Sequence, residues 1–293
     1  MIAYDSGPML PISCDELKEH TGFLYEPHLR GKRLFVSLFR GQVRITTSLG
    51  NEVTSLLPEL HHVPVPYGCD VILDGEAVLL NQAAGLPDYE GLMERFRLHK
   101  PAKIREAMKH QRIVYYAFDL LYANGQDLRE EPLASRKEQL MQLLTANGTY
   151  ERMPWAESRG PELFEAAKQH GLDGIIAKRK DSSYASGLSD SWVRFRHRQE
   201  TIVELAGWRK RSFAWKAELG GEHAGLLEPP FTSGSHQYQK QQHEEHLQLA
   251  AGMIRSEDRH YVYLQPGLRA RIRYDRQLSS GLLIKPKFME YVT

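Results

Sequence analysis

Cysteine is nearly missing from this chain, with only Cys14 and Cys69 among 293 residues. Two cysteines give neither a disulfide framework nor a zinc-ligand pattern, so reduced thiols in a cytoplasmic protein are expected. An excess of one charge is also missing. The 38 Lys and Arg against 37 Asp and Glu leave +1. That excludes a global basic signature for nucleic acid and leaves local clusters to carry any such case. No apolar run approaches a membrane span, and "MIAYDSGPML" lacks a basic segment followed by an apolar one, so neither a signal peptide nor a membrane partner is expected. No internal repeat stands out, and the Gln/His-rich stretch near 236–248 is too short for a low-complexity tract. What is present is an ordinary globular composition, 41% hydrophobic and 26% charged, long enough for one large or two ordinary domains.

Periodicity then divides the chain. "RLFVSLFRGQVRITT" reads as a β-hairpin turning at Arg40-Gly41. "CDVILDGEAVLL" reads as a buried strand interrupted by Asp74-Gly75-Glu76. "RIVYYAFDLLY" reads as an aromatic strand with one acid, Asp119. Between those two strands, Tyr89 to His110 has a helical pattern. Ser135 to Glu138 reads as a capping box opening a helix through Leu144, with Asn147-Gly148 as its stop. "GPELFEAAKQHG" is a helix closed by Gly171. It leads into a strand, "GIIAKRK", a loop, "DSSYASGLSD", and a strand, "SWVRFRHR".

After about residue 198 the character changes. "ETIVELAGW", "AWKAELGG", "GLRARIRY" and "GLLIKPKF" read as short strands, and "SHQYQKQQHEEHLQLAAGMI" as a polar helix. Several short strands with one helix suggest a small barrel, of which the OB-fold is one form. The expected architecture is an α+β domain over 1–198 and a β-barrel over 199–293. By themselves these patterns indicate a two-domain protein that handles nucleotide or nucleic acid.

The order of four polar interruptions resembles the ATP-dependent DNA ligase family of covalent nucleotidyltransferases. "LDGEAVLL" is similar to that family's motif III and "FDLLY" to motif IIIa. "DGIIAKR" resembles motif IV, which usually begins with Glu. "SWVRFR" resembles motif V, which normally has lysines at the positions of Arg194 and Arg196. "SGLLIKPKF" resembles the closing segment of the bacterial ligase OB domain. These matches span nearly the whole chain and place "EPHLRGKR" at motif I, usually E-P-K-x-D-G-x-R. Glu26, Pro27, Gly31 and Arg33 fit. The nucleophilic lysine is His28 here, and the aspartate is Arg30. In "TTSLG", Ser48 stands where an arginine is usual.

The resemblance implies a nucleotidyltransferase (adenylation) domain followed by an OB-fold, with ATP and Mg²⁺ as cofactors. In the family a lysine amine attacks the α-phosphate of ATP, and the AMP then passes to the 5′-phosphate of a nick. Phe118 would stack on adenine, with Glu26 near the base edge. Arg33 and Glu76 would face the ribose or phosphates. Glu76 and Asp173 would contact the metal, while Lys178, Arg194 and Arg196 would face the phosphates. His28 and Lys178 are the catalytic candidates. A neutral imidazole is a nucleophile near pH 7, but it is shorter and stiffer than lysine, and a misplacement of about 1 Å costs on the order of 10²-fold.

Each feature also has a plainer reading. Asp74-Gly75 alone is a turn signal, Phe118 a core aromatic, and His28 a surface or hydrogen-bonded histidine. The basic runs "KRK", "RFRHR" and "WRKR" would be solvated faces. Their place near the domain boundary makes Lys180, Arg198, Arg209, Lys210 and Arg211 the candidates for gripping duplex phosphates. The leading expectation is a protein that binds nicked or broken duplex DNA in repair or recombination, alongside other repair proteins, with its own adenylation impaired. The alternatives are a working ligase that uses His28 or seals pre-adenylylated nicks, and a non-catalytic regulator of another ligase.

Overall fold

A computed structural model describes residues 7–14, 17, 21–81, 85–228 and 237–292, with backbone alone over 237–243. The chain divides into two compact units, Met1–Arg196 and His197–Thr293.

In the first unit the strands are β1 (Met9–Cys14), β2 (Phe23–Pro27), β3 (Lys32–Phe39), β4 (Gln42–Thr47), β5 (Val71–Leu79), β6 (Ile113–Ala123), β7 (Gln126–Asp127), β8 (Tyr150–Arg152), β9 (Ala156–Glu157), β10 (Gly174–Arg179) and β11 (Gly187–Arg196). Its α-helices are α1 (Tyr89–Phe96), α2 (Pro101–Met108), α3 (Leu133–Leu143) and α4 (Gly160–Gln169). One sheet runs β4-β3-β5-β6-β7, with β8 parallel to β6. The other runs β1-β11-β10-β2-β9.

The expected hairpin is β3–β4. Its two-residue loop needs positive φ at both positions, and Arg40 (48°) and Gly41 (76°) supply it. Asp74-Gly75 is not a turn. It lies inside β5, flanked by β3 and β6, and a Cβ on Gly75 would stand 2.5 Å from the Tyr115 ring.

Period-two alternation sends each strand's residues to two faces. Leu34, Val36, Leu73, Ala77, Tyr115 and Ala117 build the main core on one side of the first sheet. Phe35, Ile72 and Phe118 join Met9, Tyr184 and Trp192 in a second cluster on the other side. In the second sheet Tyr25, Ile175, Ala177 and Phe195 pack on α4 through Ala167, Leu163 and Phe164. Their neighbours Glu26, Lys178, Trp192 and Arg194 therefore point to the opposite face.

Three helical expectations change. The segment expected as one helix from Tyr89 to His110 is two, because Pro101 opens α2 and holds Lys100 extended at ψ 122°. The expected capping box does not cap. The helix α3 starts earlier, at Leu133, behind Pro132 and without a side-chain cap bond. It ends at Leu143, with Leu144 extended, so Asn147-Gly148 is not its stop. The loop after β10 is also shorter than expected, since β11 begins at Gly187.

The second unit holds β12 (Gln199–Arg209), β13 (Ala214–Leu219), β14 (Glu222–Leu227), α5 (Gln237–Ala251), β15 (Ile254–Glu257), β16 (Tyr261–Leu264), β17 (Arg269–Tyr274), β18 (Arg276–Gln277), β19 (Leu283–Ile284) and β20 (Lys287–Val292). On one edge the long β12 serves two partners. Gln199–Glu204 pairs with β17, and Gly207–Arg209 with β16. Gly207 marks the change: a Cβ there would stand 2.1 Å from the Val262 carbonyl oxygen. The strand β20 extends the sheet beyond β17. Val203, Leu205, Trp215, Ala217, Leu264 and Ile272 fill the core. This half-barrel is compatible with an OB-like domain. Ser235 and His236 of the expected polar helix lie outside the described residues, and Met253 and Ile254 lie beyond the helix's end.

Candidate functional site

The motif residues meet where β2, β10 and β11 lie side by side. The backbone N–H of His28 donates to the Gly174 carbonyl at 2.9 Å, and Gly174 is paired with Arg196 on β11. One step along, Glu26 is paired with Ile176 and Ile176 with Arg194. Sheet register thus gathers residues from motifs I, IV and V.

Deepest in this group is the Glu26 carboxylate, buried between two lysines. Lys178 approaches it at 2.7 Å and Lys137 at 2.5 Å. Lys137 also donates to the Phe118 carbonyl at 3.2 Å. The Lys178 ammonium stands 4.0 Å from the ring centroids of both Phe118 and Trp192, within cation–π range. Burial pulls its pKa down to about 8, against the opposing pull of Glu26. Phe118 meets Trp192 edge-to-face at 5.9 Å, so the expected adenine platform is a walled aromatic floor, 7% exposed.

Arg33 is committed to the protein. Its Nε and Nη2 donate to the Asp74 carboxylate at 2.9 and 2.6 Å. Nη1 donates to the Met9 carbonyl at 2.7 Å, and Tyr184 adds a hydroxyl bond to Asp74 at 2.7 Å. Despite burial, Asp74 holds the guanidinium charged, with its pKa raised.

Glu76 lies beside Arg33 in the ladder. Burial, with Asp74 adding to it, raises its carboxyl pKa to about 8. Its folded pKa therefore exceeds the ordinary 4.5. The stability it contributes is full below about 4.5 and is lost as pH rises through about 8. Glu76→Gln is expected to remove that dependence. Urea unfolding of parent and variant should diverge between these pH values by on the order of a few kcal/mol; parallel profiles would contradict it.

His28 is surrounded by charge. Burial lowers its pKa to about 4. Asp173 opposes that, while Arg196, Arg194 and Arg30 reinforce it. The imidazole is neutral at pH 7, and its buried Nδ1 has no hydrogen-bond partner among the described residues. Arg30 forms a two-pronged pair with Asp173, Nε to Oδ2 at 3.2 Å and Nη2 to Oδ1. Although burial works the other way, hydrogen bonds and charge from Arg30 hold the Asp173 pKa low.

As placed, Asp173 and Glu76 do not fit Mg²⁺. One carboxylate is covered by a guanidinium, and burial raises the pKa of the other to about 8. No cluster of three His, Cys, Asp or Glu suited to a metal occurs among the described residues. Lys32 of the same motif is no substitute nucleophile, since its ammonium lies over the Phe96 ring at 5.9 Å.

Lys180 pairs with Glu157 and Lys210 with Glu257, both at 2.8 Å. Arg209 donates to the Ser212 carbonyl at 2.9 Å. Arg198 is half-buried and Arg211 exposed.

Residues 8–196 match the family model described as ATP dependent DNA ligase domain. The chain belongs to that ligase family. The SPbeta prophage-derived DNA ligase-like protein LigB of Bacillus subtilis is 30% identical over 284 residues, covering 96% of this chain and 97% of LigB. The multifunctional non-homologous end joining DNA repair protein LigD of Mycobacterium tuberculosis is 32% identical over 205 residues. That match covers 69% of this ligase-family chain but only 24% of LigD. A solved structure of mycobacterial DNA ligase D complexed with ATP and MES covers 98% of this chain and 95% of its own, at TM-score 0.56 and 24% identity. That likeness gives the first unit the nucleotidyltransferase fold of DNA ligases. Within the described residues, no helix is long and apolar enough to cross a membrane.

Lys137, Asp74, Tyr184 and Trp192 were not singled out as site residues from sequence. Asp74 and Trp192 sit inside the ligase motifs themselves. Lys137 and Tyr184 carried no signal, one lying in an ordinary helix and the other in a loop.

Proposed function

We propose that this protein binds nicked or broken duplex DNA in the cytoplasm, in repair or recombination, and that its own adenylation step is impaired. Residues 1–198 are the adenylation-type domain and 199–293 the OB domain. The observation that carries this reading is the Arg30–Asp173 pair. The motif that lost its lysine to His28 also placed a guanidinium on the carboxylate meant for the metal. The nucleophile and the cation site are altered together, while Lys178, Arg194 and Arg196 keep the pocket basic. Arginine retains charge but presents a rigid fork, so these two positions are suited to holding phosphate more than to copying lysine. Lys180, Arg198, Arg209, Lys210 and Arg211 would contact the duplex backbone, and other repair proteins would share the end.

The test is nicked-duplex binding without ATP. An affinity resting on about six phosphate contacts falls by roughly 10³-fold between about 50 and 200 mM salt. Absent or salt-insensitive binding would sink the reading.

The second reading is a working ligase with His28 as nucleophile, favoured by its neutral imidazole. Intact mass after incubation with ATP and Mg²⁺, kept from acid, decides between them. The parent is expected to gain nothing. A gain of one AMP, lost in His28→Ala, would establish the second reading instead.

A further inference from the structure

We infer that the Arg30–Arg194–Arg196 pocket binds a polyphosphate anion without a divalent cation, the Arg30 guanidinium standing in for the metal. This rests on the ligase-family reading and deepens it.

Among the described residues, the guanidinium groups of Arg30, Arg194 and Arg196 and the carboxylate of Asp173 act on the charge of His28. The carboxylate, Asp173, accepts hydrogen bonds from Nε and Nη2 of Arg30. That leaves Nη1 of Arg30 without a partner among the described residues. An arginine side chain carries five N–H donors in one plane and matches phosphate oxygens two at a time. The positive charge here is therefore part of the protein. A divalent cation would have to displace Arg30 from Asp173 and then sit among three guanidinium groups. An anion is drawn by the same charges. The unpartnered Nδ1 of His28 adds a second indication, because a buried ring nitrogen left without a bond is costly and a ligand oxygen or water relieves it.

The route by register is short. Arg194 and Arg196 are two residues apart on β11 and so share a face, and Arg196 lies opposite Gly174, which bonds the His28 backbone. The anion would span these positions with Arg30 at its outer end.

Calorimetric titration of the full chain with inorganic pyrophosphate tests this, once in EDTA and once with excess Mg²⁺. Binding is expected in EDTA and should weaken several-fold in Mg²⁺, because the free cation competes for the anion. Arg30→Gln is expected to lose at least 10-fold in EDTA. Asp173→Asn is expected to gain, since it removes a carboxylate facing the ligand. No binding in EDTA, or binding at least 10-fold tighter with Mg²⁺, overturns the inference. If Arg30→Gln fails to fold, the parent's two titrations and Asp173→Asn still decide it. Nicked-duplex binding measured on the same sample separates the failures. DNA binding without pyrophosphate binding defeats this inference alone, and loss of both defeats the functional reading as well.

Discussion

His28→Lys together with Arg30→Asp is expected to gain the mass of one AMP from ATP, whereas His28→Lys alone gains little. A lysine at position 28 restores the amine, and the neighbouring guanidinium groups would keep it partly neutral and nucleophilic. Yet Arg30 would still cover Asp173. The triphosphate would be drawn to the guanidinium charge, with no metal to orient its leaving pyrophosphate. A shift of about 1 Å from the in-line position costs on the order of 10²-fold. Replacing Arg30 with Asp removes the cover and returns a second carboxylate, so the double variant should depend on Mg²⁺ and react at least ~10²-fold faster than His28→Lys. Intact-mass time courses with and without EDTA give both comparisons. Equal rates for the single and double variants would show that the Arg30–Asp173 pair does not obstruct adenylation.

Much of this site was legible in the sequence, and the reason is its resemblance to the ligase motifs. Motif I begins on strand β2, and motifs III, IIIa, IV and V lie on β5, β6, β10 and β11. The resemblance to the ligase family, not the strand pattern, implied a shared site for Glu26, Lys178, Phe118 and Arg194, and the structure brings Glu26, Lys178 and Phe118 together. Departures at His28 and Arg30 were equally visible. Their consequence was not. Arg30 and Asp173 are 143 residues apart, and nothing in either segment says that the guanidinium reaches the carboxylate. The one available signal was that motif I carries a guanidinium, Arg30, where the family has an acid, while motif IV keeps an acid at Asp173.

Other failures have the same origin. Ser135-Arg136-Lys137-Glu138 satisfies the capping-box pattern, but the chain enters the helix at Pro132 and carries Arg136 and Lys137 inward to Asp119 and Glu26. Tertiary pairing overrode a local rule. Strand β15, Ile254–Glu257, is exposed at every position, so it has no apolar period to read, and two-residue strands such as β9 are made only by their partners.

Asp119→Ala is expected to lower stability by about 3–5 kcal/mol, since it leaves a buried guanidinium uncompensated. Neither Asp119 nor Arg136 is exposed. Arg136 donates to the carboxylate at 2.7 and 2.9 Å and to the Ser182 carbonyl at 3.0 Å. Asp119 also accepts from the Leu120 N–H at 2.9 Å. These bonds tie β6, α3 and the turn after β10 into one block. Asp119→Leu combined with Arg136→Met removes both charges and keeps most of the volume, so it should recover much of the loss. Urea unfolding of the three proteins reads this directly; a double variant as unstable as Asp119→Ala would place the cost in packing, not in the stranded charge. The effect should also reach the pocket. One residue beyond Arg136, Lys137 holds Glu26 from α3. Loosening α3 leaves Glu26 to Lys178 alone, so pyrophosphate affinity should fall in Asp119→Ala even under conditions where the variant is still folded.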